Sequence, residues 1–218
     1  MRETLDARRA RARALVRALK KAYPDAKIAL DFTTPLELLA ATILAAQCTD
    51  ERVNRVTPAL FAKYRTARDW AAADPATLER EVHSTGFYRA KARALVGMAR
   101  ALVERHGGDV PRAREALVRL PGVGLKTANV VLGNAFGKSV GIVVDTHVSR
   151  VSGRLGFTRN SDPVKIESDL MKLIPQKEWT KFAHRVILHG RTLCVARKPK
   201  CRECLLNELC PSAEEPLE

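Results

Sequence analysis

The chain has 218 residues, 46% hydrophobic and 28% charged. That composition excludes a disordered segment and suffices for one large domain or two small ones, each with its own core. Thirty-eight Lys and Arg against 24 Asp and Glu leave a net charge of +14 and a pI near 10.0, the footprint of a polyanion binder, with nucleic acid ahead of an acidic membrane or a ribosomal role. No apolar run reaches the roughly 18 residues of a spanning helix, and the N-terminus lacks a secretory signal's apolar stretch, so the sequence reads as intracellular and without a membrane partner.

Apolar residues recur at three and four positions, the helical period, and aromatics are few, so an all-α fold is expected. The first predicted helix, about 3 to 22, is basic and amphipathic, with Leu5, Ala12, Leu15, Val16 and Leu19 on one face. Glu3 and Asp6, and the lack of serine, set it apart from a transit peptide. Pro24 stops it. Thr34-Pro35 opens a second helix, 35 to 48, which runs into AAQCTD, where the lone Cys48 reads as a small buried side chain. Helices at 51 to 64, 75 to 83 and 89 to 106 follow, punctuated by Asp74-Pro75 and Gly107-Gly108. Pro111 then precedes a short helix at 112 to 119.

The stretch LPGVGLKTANVV joins that helix to another at 125 to 136, a helix-hairpin-helix over about 112 to 136. Gly122 and Gly124, bracketing Val123, let the backbone turn sharply and leave its amides uncovered at a helix N-terminus, where the dipole favours an anion such as phosphate. A main-chain grip of this kind ignores base sequence. Lys126 sits in the helix's first turn, where the dipole disfavours a cation. It reads either as a phosphate contact or as an amine nucleophile able to form a Schiff base. Downstream, Asp145 in VVDTHVSR precedes a helix at 146 to 155 and has the character of an N-cap, a position that also orients a carboxylate for chemistry.

Helices at 163 to 173 and 178 to 194 lead into RTLCVARKPKCRECLLNELC, where Cys194, Cys201, Cys204 and Cys210 follow a C-x6-C-x2-C-x5-C spacing. Four thiols so close in an intracellular chain point to a soft-metal site, either zinc or an iron-sulfur cubane. Between the first two cysteines, Arg197, Lys198 and Lys200 form an acid-free basic loop suited to a phosphate backbone. An acidic tail carrying Glu214, Glu215 and Glu218 ends the chain and is expected to fray.

The lysine-bearing hairpin, VVDTHVSR and the cysteine cluster, together with TTPLELLAATILAAQCTD, STGFYRAKA and ILHGRTLC, resemble in order and spacing the endonuclease III family, bifunctional DNA glycosylases of the helix-hairpin-helix superfamily. The resemblance covers nearly the whole chain. It implies two helical domains with a DNA cleft between them: a six-helix domain at 28 to 138 holding the hairpin, and an iron-sulfur domain made of 1 to 27 and 139 to 218. It makes the four cysteines ligands of a [4Fe-4S] cluster, with zinc a minor alternative.

The resemblance also makes Lys126 the nucleophile and Asp145 its partner carboxylate, acting as a monomer on double-stranded DNA that carries damaged pyrimidines or abasic sites, in the cytoplasm or at the nucleoid. Oxidised pyrimidines would be excised and the strand nicked by β-elimination. Gln47 matches the residue that fills the gap left by a flipped base, and His147 a pocket-side histidine. Phe87 matches a wedge that is typically leucine, and Leu125 stands where a basic residue is common. His184 and His189 read as packed or surface residues. Two alternatives accompany this reading: a monofunctional adenine mismatch glycosylase, which lacks the lysine and carries an extra C-terminal domain, and a non-catalytic DNA-binding module.

Overall fold

The computed structural model describes residues 3–213, and among these the chain forms α-helices and short 3-10 turns with no strand. In chain order the helices are α1 (Leu5–Ala22), α2 (Pro35–Leu44), α3 (Asp50–Lys63), α4 (Ala67–Ala71), α5 (Pro75–Val82), α6 (Tyr88–His106), α7 (Arg114–Leu117), α8 (Leu125–Ala135), α9 (Thr146–Arg154), α10 (Pro163–Met171) and α11 (Trp179–Thr192). The tail with Glu214, Glu215 and Glu218 lies outside the described residues. The chain divides into two compact units: Ile28–Lys138, and the segment up to Lys27 together with everything from Ser139.

The unit at Ile28–Lys138 is built around α6, which packs on α2, α4 and α5. Its core face carries Leu95, Val96, Met98, Ala99 and Leu102, all buried, at the three-and-four spacing that aligns side chains on one side of a helix. Trp70, 1% exposed, closes the core from α4, with its ring centroid 4.7 Å from that of Tyr64. Seven helices stand here where six were expected. The additional one is the five-residue α4, stabilised by a capping box in which Thr66 accepts the Asp69 amide and Asp69 accepts the Thr66 amide.

In the other unit α1 packs on α11, and α11 on α9. Ala12, Leu15, Val16 and Leu19 are buried as expected, whereas Leu5, in the helix's first turn, is 51% exposed. Arg11 pins α1 to the rest of the unit: its guanidinium donates to the Leu155 carbonyl at 2.7 Å and to the Leu209 carbonyl at 3.2 Å, and lies 5.3 Å from the Phe157 ring centroid. No described helix is long and apolar enough to cross a membrane.

Candidate active site

The hairpin between α7 and α8 is two successive tight turns, in which the Leu120 amide donates to Leu117 O at 3.0 Å and the Val123 amide to Leu120 O at 3.1 Å. Gly122 has φ +77°, and a Cβ there would lie 2.8 Å from Ala94 Cβ on α6. Only glycine satisfies both conditions. A Cβ on Gly97, one turn along α6, would stand 3.2 Å from Pro121 Cβ, so α6 is the platform on which the hairpin rests. Gly124 caps α8 with no side-chain acceptor, leaving the first-turn amides without a capping oxygen and the helix dipole open to an anion. Lys126 is exposed in that first turn. Val123 departs from the expected contact: its side chain is 6% exposed and its amide is committed inside the turn, so it holds the hairpin's shape.

Gln47 (φ 52°), Phe87 (φ 47°) and Lys198 (φ 51°) are the non-glycine residues with left-handed backbone among the described residues. All three are sequence-predicted DNA contacts. Such a conformation costs on the order of 1–3 kcal/mol per residue and persists where the surroundings enforce it, a pattern concentrated at functional sites. Phe87 is 64% exposed and Leu125 is 39% exposed, large apolar surfaces that a folded core does not explain. Cys48 is only half-buried, not the buried filler expected, because it lies in the loop after α2, which ends at Leu44.

In the second unit the buried run Ile142–Val144 delivers Asp145 to the start of α9, where one carboxylate oxygen accepts the Val148 amide at 2.7 Å. Asp145 is therefore an N-cap. His147, in the first turn of α9, is half-buried, with Nδ1 3.2 Å from the Arg150 guanidinium. A Cβ on Gly190 of α11 would stand 3.2 Å from both His147 Cβ and Nδ1, so glycine there admits the imidazole. His184 and His189 are 8% and 2% exposed, and burial holds both well below the usual histidine range, to about 4. They are neutral packing residues.

Cys194, Cys201, Cys204 and Cys210 all line one cavity, whose walls include Val151, Leu155, Leu193 and Leu206. Hydrogen-bond donors point at the sulfurs: the Arg154 guanidinium at Cys194 Sγ, 3.3 Å, and the Leu206 amide at Cys204 Sγ, 3.4 Å. Burial, reinforced by the neighbouring cysteines, pushes the Cys204 and Cys210 thiols up. A bound metal reverses that penalty, since a coordinating thiol is deprotonated. Among the described residues no group of three or more His, Cys, Asp or Glu side chains is set to hold a single metal ion. Four thiols lining one cavity with N–H donors on the sulfurs are a donor set that fits a soft metal, whether zinc or an iron-sulfur cluster.

The basic loop is anchored from behind. Arg154 donates to the carbonyls of Val195, 2.8 Å, and Ala196, 2.9 Å, and Arg150 to those of Gly190, 2.9 Å, and Cys194, 3.2 Å, while Arg197, Lys198 and Lys200 remain exposed. Sequence reading passed over Arg150 and Arg154. The available signal was their spacing, two like charges at i and i+4 that repel on an isolated helix and so imply acceptors elsewhere. It also passed over Lys91, 4% exposed in α6.

The sequence profile of the HhH-GPD superfamily of base excision DNA repair proteins matches residues 40–176. Endonuclease III of Synechocystis sp. (strain ATCC 27184 / PCC 6803 / Kazusa) is 55% identical over 204 residues, spanning 94% of this chain and 93% of that protein. Two solved endonuclease III structures, one a non-covalent complex with DNA and the other a trapped covalent DNA intermediate in an estranged-adenine complex, each match at TM-score 0.88 and 46% identity, over 94% of this chain and 96% of theirs. The chain therefore belongs to the HhH-GPD superfamily of base excision DNA repair proteins and, within it, to the endonuclease III family.

Proposed function

We propose that the protein is a base excision repair DNA glycosylase that removes oxidised pyrimidines from duplex DNA and cleaves the resulting abasic site as a lyase. One observation carries the reading: an exposed lysine opens an uncapped helix after a glycine hairpin, in a chain 46% identical to an endonuclease III trapped as a covalent DNA intermediate. The amides around Gly122 and Gly124 hold a phosphate, and the target nucleotide leaves the stack because its C1′ is otherwise unreachable. Gln47 fills the gap and Phe87 wedges the neighbouring step. His147 lies at the pocket side.

Lys126 Nζ then bonds to C1′ as the C1′–base bond breaks; the amine sheds a proton, the C1′–O4′ bond of the sugar ring opens with O4′ taking up a proton, and C1′ is left as an iminium. Asp145, held in place by its cap, takes the proton the amine sheds and opposes positive charge on the sugar. The iminium acidifies C2′–H, and loss of that proton expels the 3′ phosphate, so the strand is nicked. Cys194, Cys201, Cys204 and Cys210 hold a [4Fe-4S] cluster, which when bound supplies soft crosslinks and a redox-active centre and takes no part in glycosidic chemistry. Pinned behind by Arg154, the loop of Arg197, Lys198 and Lys200 meets the DNA backbone. The protein works as an intracellular monomer on chromosomal DNA.

The direct test is a panel of duplexes carrying thymine glycol, oxidised cytosine, an abasic site or a mismatched adenine, with base release and nicking measured separately. Release and nicking at the oxidised pyrimidines, and nicking at the abasic site, are expected. Release of mismatched adenine without nicking would favour the monofunctional alternative.

A further inference from the structure

Among the described residues no carboxylate pairs with the buried Lys91. It lies on α6, 4% exposed, and its ammonium donates to the Thr85 carbonyl at 2.6 Å. Desolvation pushes its pKa down, and Cys48 is the group that counters. A lysine costs several kcal/mol to bury as a cation, so core packing alone does not explain why one stands at a position that Leu or Met would fill.

What the ammonium holds is informative. Thr85 is 2% exposed, its hydroxyl donates to Val82 O at 2.8 Å, and it leads directly into Gly86 (φ 70°) and Phe87 (φ 47°). Phe87 is the N-cap residue of α6 and has no side-chain cap. The Lys91 amide donates to Phe87 O at 3.0 Å. The backbone bond is the first bond of α6 and would form with any residue there except proline, so what is particular to Lys91 is its side chain, which holds the residue before the turn. The same ammonium feels Cys48, the residue after left-handed Gln47.

We propose that Lys91 is a positioning residue for base flipping, whose buried ammonium clamps the left-handed turn that presents Phe87 to the duplex. The inference rests on Phe87 being the wedge. A bulky residue keeps φ near +50° only if its surroundings over-determine it, and the bond from the Lys91 ammonium to Thr85 O is a charge-assisted constraint on this turn. Without it, Phe87 relaxes, and its side chain swings away from the register needed to enter a base step.

The test measures single-turnover base release by the full-length protein from a lesion in a matched duplex and from the same lesion inside an unpaired bubble, where flipping is already done. A 2-aminopurine beside the lesion reports unstacking. Lys91→Met is expected to fold with a melting temperature within a few degrees of wild type. It should slow release from the duplex by about tenfold or more and diminish the fluorescence rise, while the bubble rate stays within about twofold. Equal loss on both substrates, or none on the duplex, overturns the proposal. If Lys91→Met does not fold, Lys91→Leu, which likewise removes the donor toward Thr85 O, carries the same comparison with the same two outcomes. Phe87→Ala separates the layers: a normal duplex rate in that variant removes the wedge reading and this inference with it. A slow duplex rate there beside a normal one in Lys91→Met removes only the inference.

Discussion

One oxygen of Asp145 accepts the Val148 amide at 2.7 Å, so any substitution there touches α9 as well as the chemistry. Asparagine and aspartate cap helices about equally well, while alanine costs about 1 kcal/mol. Asp145→Asn is therefore expected to melt as wild type does and to lose at least about a hundredfold in single-turnover release, with DNA affinity retained. Asp145→Ala should lose stability as well. Normal turnover in the asparagine variant would reduce this residue to a cap. At this scale the sequence was most legible where a residue type is unusual for its local setting. Lys126 at a helix start is of that kind, whereas Asp145 was legible as a residue type well suited to capping the helix it precedes. Lys91 was not legible, because in the sequence it is one more cation in a basic helix, and only packing makes its burial visible.

The hairpin shows how an element converts two glycines into distinct duties. Gly122 carries φ +77° and has Ala94 Cβ 2.8 Å from where its own Cβ would be, whereas Gly124 has ordinary backbone and open space around it. Gly122→Ala is expected to cost about 2 kcal/mol or more in a denaturant melt. Gly124→Ala should cost less than about 1 kcal/mol yet weaken duplex binding, because a methyl group intrudes where a phosphate approaches the backbone. If both variants bind DNA like wild type, the hairpin does not grip it.

Helices with strong stops were legible at this scale: α2, α5, α6 and α8 begin or end within a few residues of where Thr34-Pro35, Asp74-Pro75, Gly107 and Gly124 place them. The overlong prediction for the second helix failed because Ala45–Cys48 turns to place Gln47 in left-handed backbone. The helix α4 was missed because five residues are too few to establish a period, although Thr66 and Asp69 carried its capping signature.

Across the whole molecule, a net charge of +14 guarantees attraction to DNA without saying where it acts. The cysteine-bounded loop offers three exposed cations, Arg197, Lys198 and Lys200, on a backbone that Arg150 and Arg154 fix through carbonyls. Each phosphate contact contributes about 0.9 to the slope of log affinity against log salt. Replacing the three by alanine is expected to flatten that slope by about 2 to 3 while leaving the melting temperature unchanged. An unaltered slope would place the loop away from DNA. What the sequence alone did not disclose is how a cap, a loop and a cluster wall depend on contacts from α1 and α9, because Arg11, Arg150 and Arg154 reach partners as many as 198 residues away.

Covalent catalysis by Lys126 is read directly by reductive trapping. Borohydride added to the protein with abasic-site DNA should yield a stable crosslinked species, and Lys126→Gln should abolish it while retaining duplex binding. Undiminished trapping in the Lys126→Gln variant would contradict the assignment.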